Sequence, residues 1–128
     1  MLSMKNDILT REDIILLMES FYKKLLADER IAYIFTDVAK INILTHIPIL
    51  ADFWEMVLFQ KGTYQKNVMQ LHKDLSSKSP LTKEHFNIWL GYFNDTVDEL
   101  FEGSNTILAK QRAISIATMM QIKLINKD

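Results

Sequence analysis

Apolar residues recur at spacings of three and four along most of the chain, the period of a helix with one buried face. Ile14, Leu17, Met18, Phe21 and Leu25 keep this rhythm after Thr10-Arg11-Glu12-Asp13, a capping-box pattern, so a first helix is predicted over about residues 11 to 28. Ile31, Ile34 and Phe35 form a cluster too short for a long helix and predict one or two tight turns, with Lys40 to Asn42 as connector. His46, Leu50, Phe53 and Val57 then fall at i, i+4, i+7 and i+11, one stripe of a helix between Ile43 and Phe59. Pro48 interrupts it, so this helix either starts near Thr45 or bends, and its earlier turn is expected to be irregular.

Gln60-Lys61-Gly62-Thr63 breaks the pattern, and Tyr64 to Lys73 reads as a short helix whose inner face carries Val68, Leu71 and His72. Asp74 to Pro80, rich in Ser, is the most loop-like stretch. Thr82 is a good N-cap for a helix bearing Phe86, Trp89, Leu90, Phe93, Val97, Leu100 and Phe101. Glu102-Gly103-Ser104 ends it, and Ser104 can cap a last helix with Ile107, Leu108, Ala113, Ile116, Ala117, Met120 and Leu124 on its buried side. No strand-like alternation or internal repeat competes, so the fold class is all-α, and residues 1–128 are expected to form one domain.

Composition narrows the chemistry. Fifteen Lys+Arg against sixteen Asp+Glu leave a net charge of -1 without a basic stripe, which argues against nucleic acid. The chain has no Cys, which removes disulfides, thiolate metal sites and cysteine nucleophiles. No signal-peptide core or membrane-length apolar run is present, so a cytoplasmic protein without a membrane partner is expected.

Three histidines remain as possible metal ligands: His46, His72 and His85. His46 and His72 lie on apolar helix faces, where a ring nitrogen needs a backbone partner, a side-chain partner or a metal. Zinc lacks a workable set of three or four ligands here. Haem needs only one imidazole, because the porphyrin brings four nitrogens, and Phe21, Phe35, Leu50, Phe53, Trp54, Phe86, Trp89 and Phe93 could line an apolar pocket. The same aromatics also read as ordinary helical core. Tyr22 and Trp89 are more telling, since a buried phenol or indole leaves a polar hydrogen in search of an acceptor.

In their order, Phe21-Tyr22, Ile34-Phe35, His46-Ile47-Pro48, Asp52-Phe53-Trp54-Glu55, Gly62-Thr63-Tyr64 ahead of His72, Leu81-Thr82, His85-Phe86, Trp89-Leu90, Phe93, Thr96-Val97-Asp98, Phe101-Glu102-Gly103 and Arg112-Ala113 resemble the group III truncated haemoglobins over most of the chain. The resemblance implies a two-over-two helical sandwich around haem b, with His72 as the iron ligand, Tyr22 as the distal hydroxyl and His46 at the distal mouth. It implies further that Trp89 turns its indole to the ligand, that Leu50 presses on the gas site and that Phe35 packs at the haem edge. Phe53 would point to the pocket and Trp54 to the core, with Leu71, Phe86 and Phe93 completing the cofactor-binding set. His85 is expected to be structural or exposed. The chain departs from the family at Tyr64 to Val68, which lacks the Gly and Pro that often follow the tyrosine, so the approach to the proximal helix is expected to differ in shape.

The expected ligands are dioxygen, NO and CO. Redox chemistry between oxygen and NO, or peroxidase-like chemistry with a reductase partner, is an extension of the same pocket. His46 is open to two roles, a gate or a sixth ligand. The alternative is a cofactor-free helical interaction domain.

Overall fold

The computed structural model describes residues 5–61 and 78–124, and among them every regular element is helical. The helices are α1 (Arg11–Leu26), α2 (Glu29–Tyr33), α3 (Ile43–Phe59), α4 (Lys83–Leu100) and α5 (Ser104–Leu124). A π-helical turn, Ile34–Val38, continues α2. The helix expected over Tyr64 to Lys73, with Leu71 and His72, lies outside the described residues.

Local chemistry accounts for the helix starts. The Thr10 hydroxyl accepts from the Asp13 N–H at 3.2 Å while the Asp13 carboxylate accepts from the Thr10 N–H at 3.1 Å, the reciprocal cap expected at α1. Glu12 and Asp13 in the first turn and Lys23 and Lys24 in the last complement the helix dipole. α1 ends at Leu26, earlier than its apolar rhythm suggests, because Asp28 is taken as the N-cap of α2 and accepts from the Arg30 N–H at 2.9 Å. The π turn closes through the Ala39 N–H donating to the Ile34 carbonyl at 2.8 Å, and Lys40 leaves it with a φ of 54°.

α3 corrects one expectation. It begins at Ile43 and runs through Pro48, with no irregular turn before the proline. The Asn42 side chain accepts from the Leu44 N–H at 3.0 Å, and the Thr45 N–H donates to the Asn42 carbonyl at 3.2 Å, so the first turn is closed from its N-terminal side. Pro48 removes only its own bond to Leu44, and Leu44 is exposed, where water reaches the carbonyl. At the far end Gln60 caps α3 in the left-handed region.

The start of α5 is the second correction. Ser104 opens the helix, but the cap comes from Asp7, far away in sequence: its carboxylate accepts from the Asn105 N–H at 2.9 Å, the Thr106 N–H at 2.8 Å and the Thr106 hydroxyl at 2.8 Å. Gly103 makes this approach possible. Its φ is +145°, and a Cβ there would stand 2.4 Å from the Asp7 carboxyl carbon. Partial burial works against the Asp7 charge, yet the hydrogen bonds from Asn105, Thr106 and Ile8 outweigh it and hold the carboxyl below its ordinary range.

α1 lies against both α3 and α4, α4 pairs with α5, and α5 reaches back to α3. Ile14, Leu17, Met18, Phe21, Leu25, Phe93 and Val97 fill the space between them and are fully buried. α5 buries a narrow row of Ala109, Ala113 and Ala117, which lets its backbone come close. That row turns Ile107 outward to 55% exposure, against its expected place on the buried side. Among the described residues no single helix is long and apolar enough to cross a membrane.

Candidate functional site

Three helices bring the expected distal residues together. Tyr22 sits on α1 beside Phe21 and is buried. Across from it, on α3, His46 presents Nε2 to the Tyr22 hydroxyl at 3.1 Å. Phe35, in the π turn, sets its ring edge-on to Tyr22 with centroids 5.4 Å apart. The π turn places it there: an extra residue per turn rotates the side chains that follow, and Phe35 is left half-buried against the core. Burial pushes the Tyr22 hydroxyl well above the ordinary phenol range, so it stays protonated and keeps a hydrogen to donate.

α4 contributes the other half. Phe93 is fully buried between two indoles, stacked on Trp54 of α3 at 5.1 Å and on Trp89 one turn earlier on α4 at 5.6 Å. Phe21 meets Tyr22, Trp89 and Phe93 edge-on at 5.5, 5.7 and 5.3 Å, so one ring braces both expected donors. Trp89 itself is half-buried, and its indole N–H donates to none of the described residues. Leu50 and Phe53 are half-buried against the same core, Phe53 with its ring edge-on to Trp54.

The expected residues do not all converge. Phe86 is buried in the core and makes no ring contact with the other aromatics among the described residues. Leu71 and His72 lie outside the described residues. Among the described residues no group of three or more His, Asp or Glu side chains could hold a bare metal ion.

One cluster escaped the sequence reading. His85 is not exposed: it is buried at the start of α4, where Nδ1 accepts from the Thr82 N–H at 3.0 Å and Thr82 Oγ1 accepts from the His85 N–H at 3.2 Å. Nε2 meets the Tyr33 hydroxyl of α2 at 3.1 Å. The signal was the Thr82-x-x-His85 spacing, which is that of a capping box with imidazole in place of the usual Glu or Gln. Nearby, Asp28 receives the Tyr92 hydroxyl at 2.7 Å and the Arg30 guanidinium at 2.6 Å; Arg30 and Tyr92 together hold its carboxyl far below the ordinary range.

No protein-family model matches the chain. It is 32% identical over 123 residues to a group 3 truncated hemoglobin of Campylobacter jejuni, an alignment covering 92% of this chain and 93% of the relative. The crystal structure of group III truncated hemoglobin from Campylobacter jejuni superposes with a TM-score of 0.84 at 28% identity, over 94% of this chain and 95% of that one. The 2/2 hemoglobin from Synechococcus sp. PCC 7002, solved in the cyanomet state with covalently attached heme, superposes with a TM-score of 0.72 at 22% identity, over 91% and 93% of the two chains, and shows the fold alone. The all-α architecture is that of the two-over-two globins, and the chain belongs to the group III truncated haemoglobins.

Proposed function

We propose that this chain binds haem b and uses it to hold small diatomic ligands, dioxygen first and NO and CO after it, in a cytoplasmic setting. The observation that carries the reading is the buried Tyr22 hydroxyl facing His46 Nε2 at 3.1 Å across α1 and α3. The residues suit the group: a protonated phenol packs on Phe35, an indole packs on Phe21 and Phe93, apolar Leu50 and Phe53 lie against the same core, and no cluster of carboxylates competes for the iron among the described residues.

Bound haem supplies an iron centre that takes a diatomic ligand on its open face. His72 is the residue proposed to hold that iron. Leu71 and Phe93 belong to the proposed wall of the cofactor site. On the ligand side, Tyr22 and Trp89 are the proposed donors toward a ligand that gains negative charge, and Phe21 packs edge-on against both rings. His46 has two uses consistent with its half-buried place on α3: to swing as a gate, or to reach the iron. Each donor to a charged acceptor contributes about 1.5–3 kcal/mol, so the pair favours retention and reaction of the ligand over bulk transport. Oxidation of NO with bound oxygen, or peroxide reduction fed by a reductase, are the reactions this retention would serve.

Purified protein, or protein given haemin, is expected to show a Soret band that His72→Gly removes; colourless protein that takes up no haemin overturns the reading. Tyr22→Phe is expected to speed oxygen dissociation roughly ten-fold or more, the equivalent of one such bond. An unchanged rate removes Tyr22 from the donor pair.

A further inference from the structure

His85 holds two helices at once, and both lead to the candidate pocket. Because Nδ1 accepts from the Thr82 N–H at 3.0 Å, that nitrogen carries no proton in the folded protein, and the hydrogen of the neutral ring sits on Nε2, toward the Tyr33 hydroxyl. Tyr33 is the last residue of α2, two positions before Phe35, whose ring rests on Tyr22. His85 itself stands one helical turn before Trp89 and directly before Phe86, so the turn it caps is the one that carries both.

Charging the ring breaks this arrangement by geometry alone. Imidazolium is a donor at both nitrogens, and a donor at Nδ1 would face the Thr82 N–H with no acceptor between them. Four backbone N–H groups at the start of α4 depend on the local cap, and one of its two reciprocal bonds would be lost.

The electrostatic surroundings of the ring agree. Burial disfavours the cation and outweighs the attraction of Glu84 on α4 and the acceptor that the Arg30 backbone on α2 offers the charged ring, so His85 titrates below the ordinary histidine value. On α2 the Arg30 guanidinium is held by Asp28, which also receives Tyr92 from α4. The ion pairs that tie α4 to α1 and α5, Lys24–Glu99 and Lys110–Asp98, lie at the other end of α4, about 20 Å away by helical rise. Neither reaches the ring.

We propose that His85 is a positioning residue, whose neutral ring seats the first turn of α4, with Phe86 and Trp89, against α2, and whose protonation releases it. The link to ligand binding rests on the haem reading above. Acid would then loosen the indole donor.

The test is a pH titration, from about pH 8 to pH 5, of ¹⁵N-labelled protein followed by NMR, with haem in the ferrous carbon monoxide form and again without haem. In the wild type the Thr82 amide and the Trp89 indole protons are expected to shift together, with one midpoint below 6.5. In His85→Gln both are expected to stay flat, because the glutamine amide can accept from Thr82 and donate to Tyr33 but does not titrate. Any contribution of His46 is common to both proteins. A Trp89 indole that fails to move in the wild type, or that moves as far in His85→Gln, overturns the proposal. The Soret band reports haem uptake independently, so a failure of the haem reading is seen apart from a failure of the latch.

Discussion

The molecule contains two tyrosine–histidine pairs with the same oxygen-to-nitrogen distance, 3.1 Å, and opposite burial. In the α1–α3 pair the tyrosine is buried and His46 is half-buried; in the α2–α4 pair Tyr33 is 38% exposed and His85 is buried. The difference lies in what else each imidazole does. His85 Nδ1 is committed to the backbone N–H of Thr82, so its tautomer and its rotamer are set by a helix end. His46 stands at the end of the first turn of α3, where its N–H donates to the Asn42 carbonyl at 2.9 Å, and its Nε2 meets the Tyr22 hydroxyl rather than a backbone N–H. An equal distance therefore marks a helix-end clamp in one place and a contact between two helix faces in the other.

The largest effect is expected from the aromatic stack behind the α1–α3 pair. Phe93→Ala deletes the ring stacked between Trp54 and Trp89 and is expected to cost about 3–5 kcal/mol, read by urea unfolding. A cost near 1 kcal/mol would mean that the aromatic stack is slack, and that the α1–α3 pair is held less rigidly than its distance implies.

Removing the two hydroxyls separates the pairs directly. Tyr22→Phe removes a buried hydroxyl and its bond to His46 and is expected to cost about 1–1.5 kcal/mol of stability, whereas Tyr33→Phe, at a position 38% exposed, should cost a few tenths. Equal losses would erase the distinction drawn between the pairs.

The caps differ in the same way, one built from neighbours in sequence and one from a distant residue. Asp7→Ala is expected to cost about 1 kcal/mol, as for loss of a helix cap, because the first N–H groups of α5 lose their acceptor. The pH dependence has a definite sign. The Asp7 carboxyl is held below 3.8 when folded, so its contribution is present above that value and is lost as pH falls below it. His85 also titrates low when folded, so its stabilisation is present above 6.5 and declines as pH falls below that. Thermal unfolding at successive pH values should show two separate declines, the upper removed by His85→Gln and the lower, to which Asp28 also contributes, reduced by Asp7→Ala; a decline unmoved by either substitution contradicts both assignments.

Much of this was legible in the residues. Thr10 with Asp13 and Thr82 with the residue three along announce helix starts, because a capping bond closes within four residues and needs nothing from elsewhere. The three- and four-residue rhythm of α1 and α4 marks the faces that go inward, and Phe21, Phe93 and Val97 lie where it puts them. The order of Tyr22, His46 and Trp89 carries the family resemblance without any knowledge of their contacts.

What the chain alone left undecided are the relations that join distant segments. Nothing local says that Asp7 caps α5, that Gly103 must make room for it, that Ile107 faces outward, or that Tyr33 closes on His85. A periodic pattern defines an apolar stripe but not how wide a neighbour will cover it, and a polar side chain's partner is chosen by whichever helix arrives beside it. Local chemistry set the helices and their starts; the packing of α4 against α1, α2 and α5 decided which histidine became a clamp and which was left facing Tyr22.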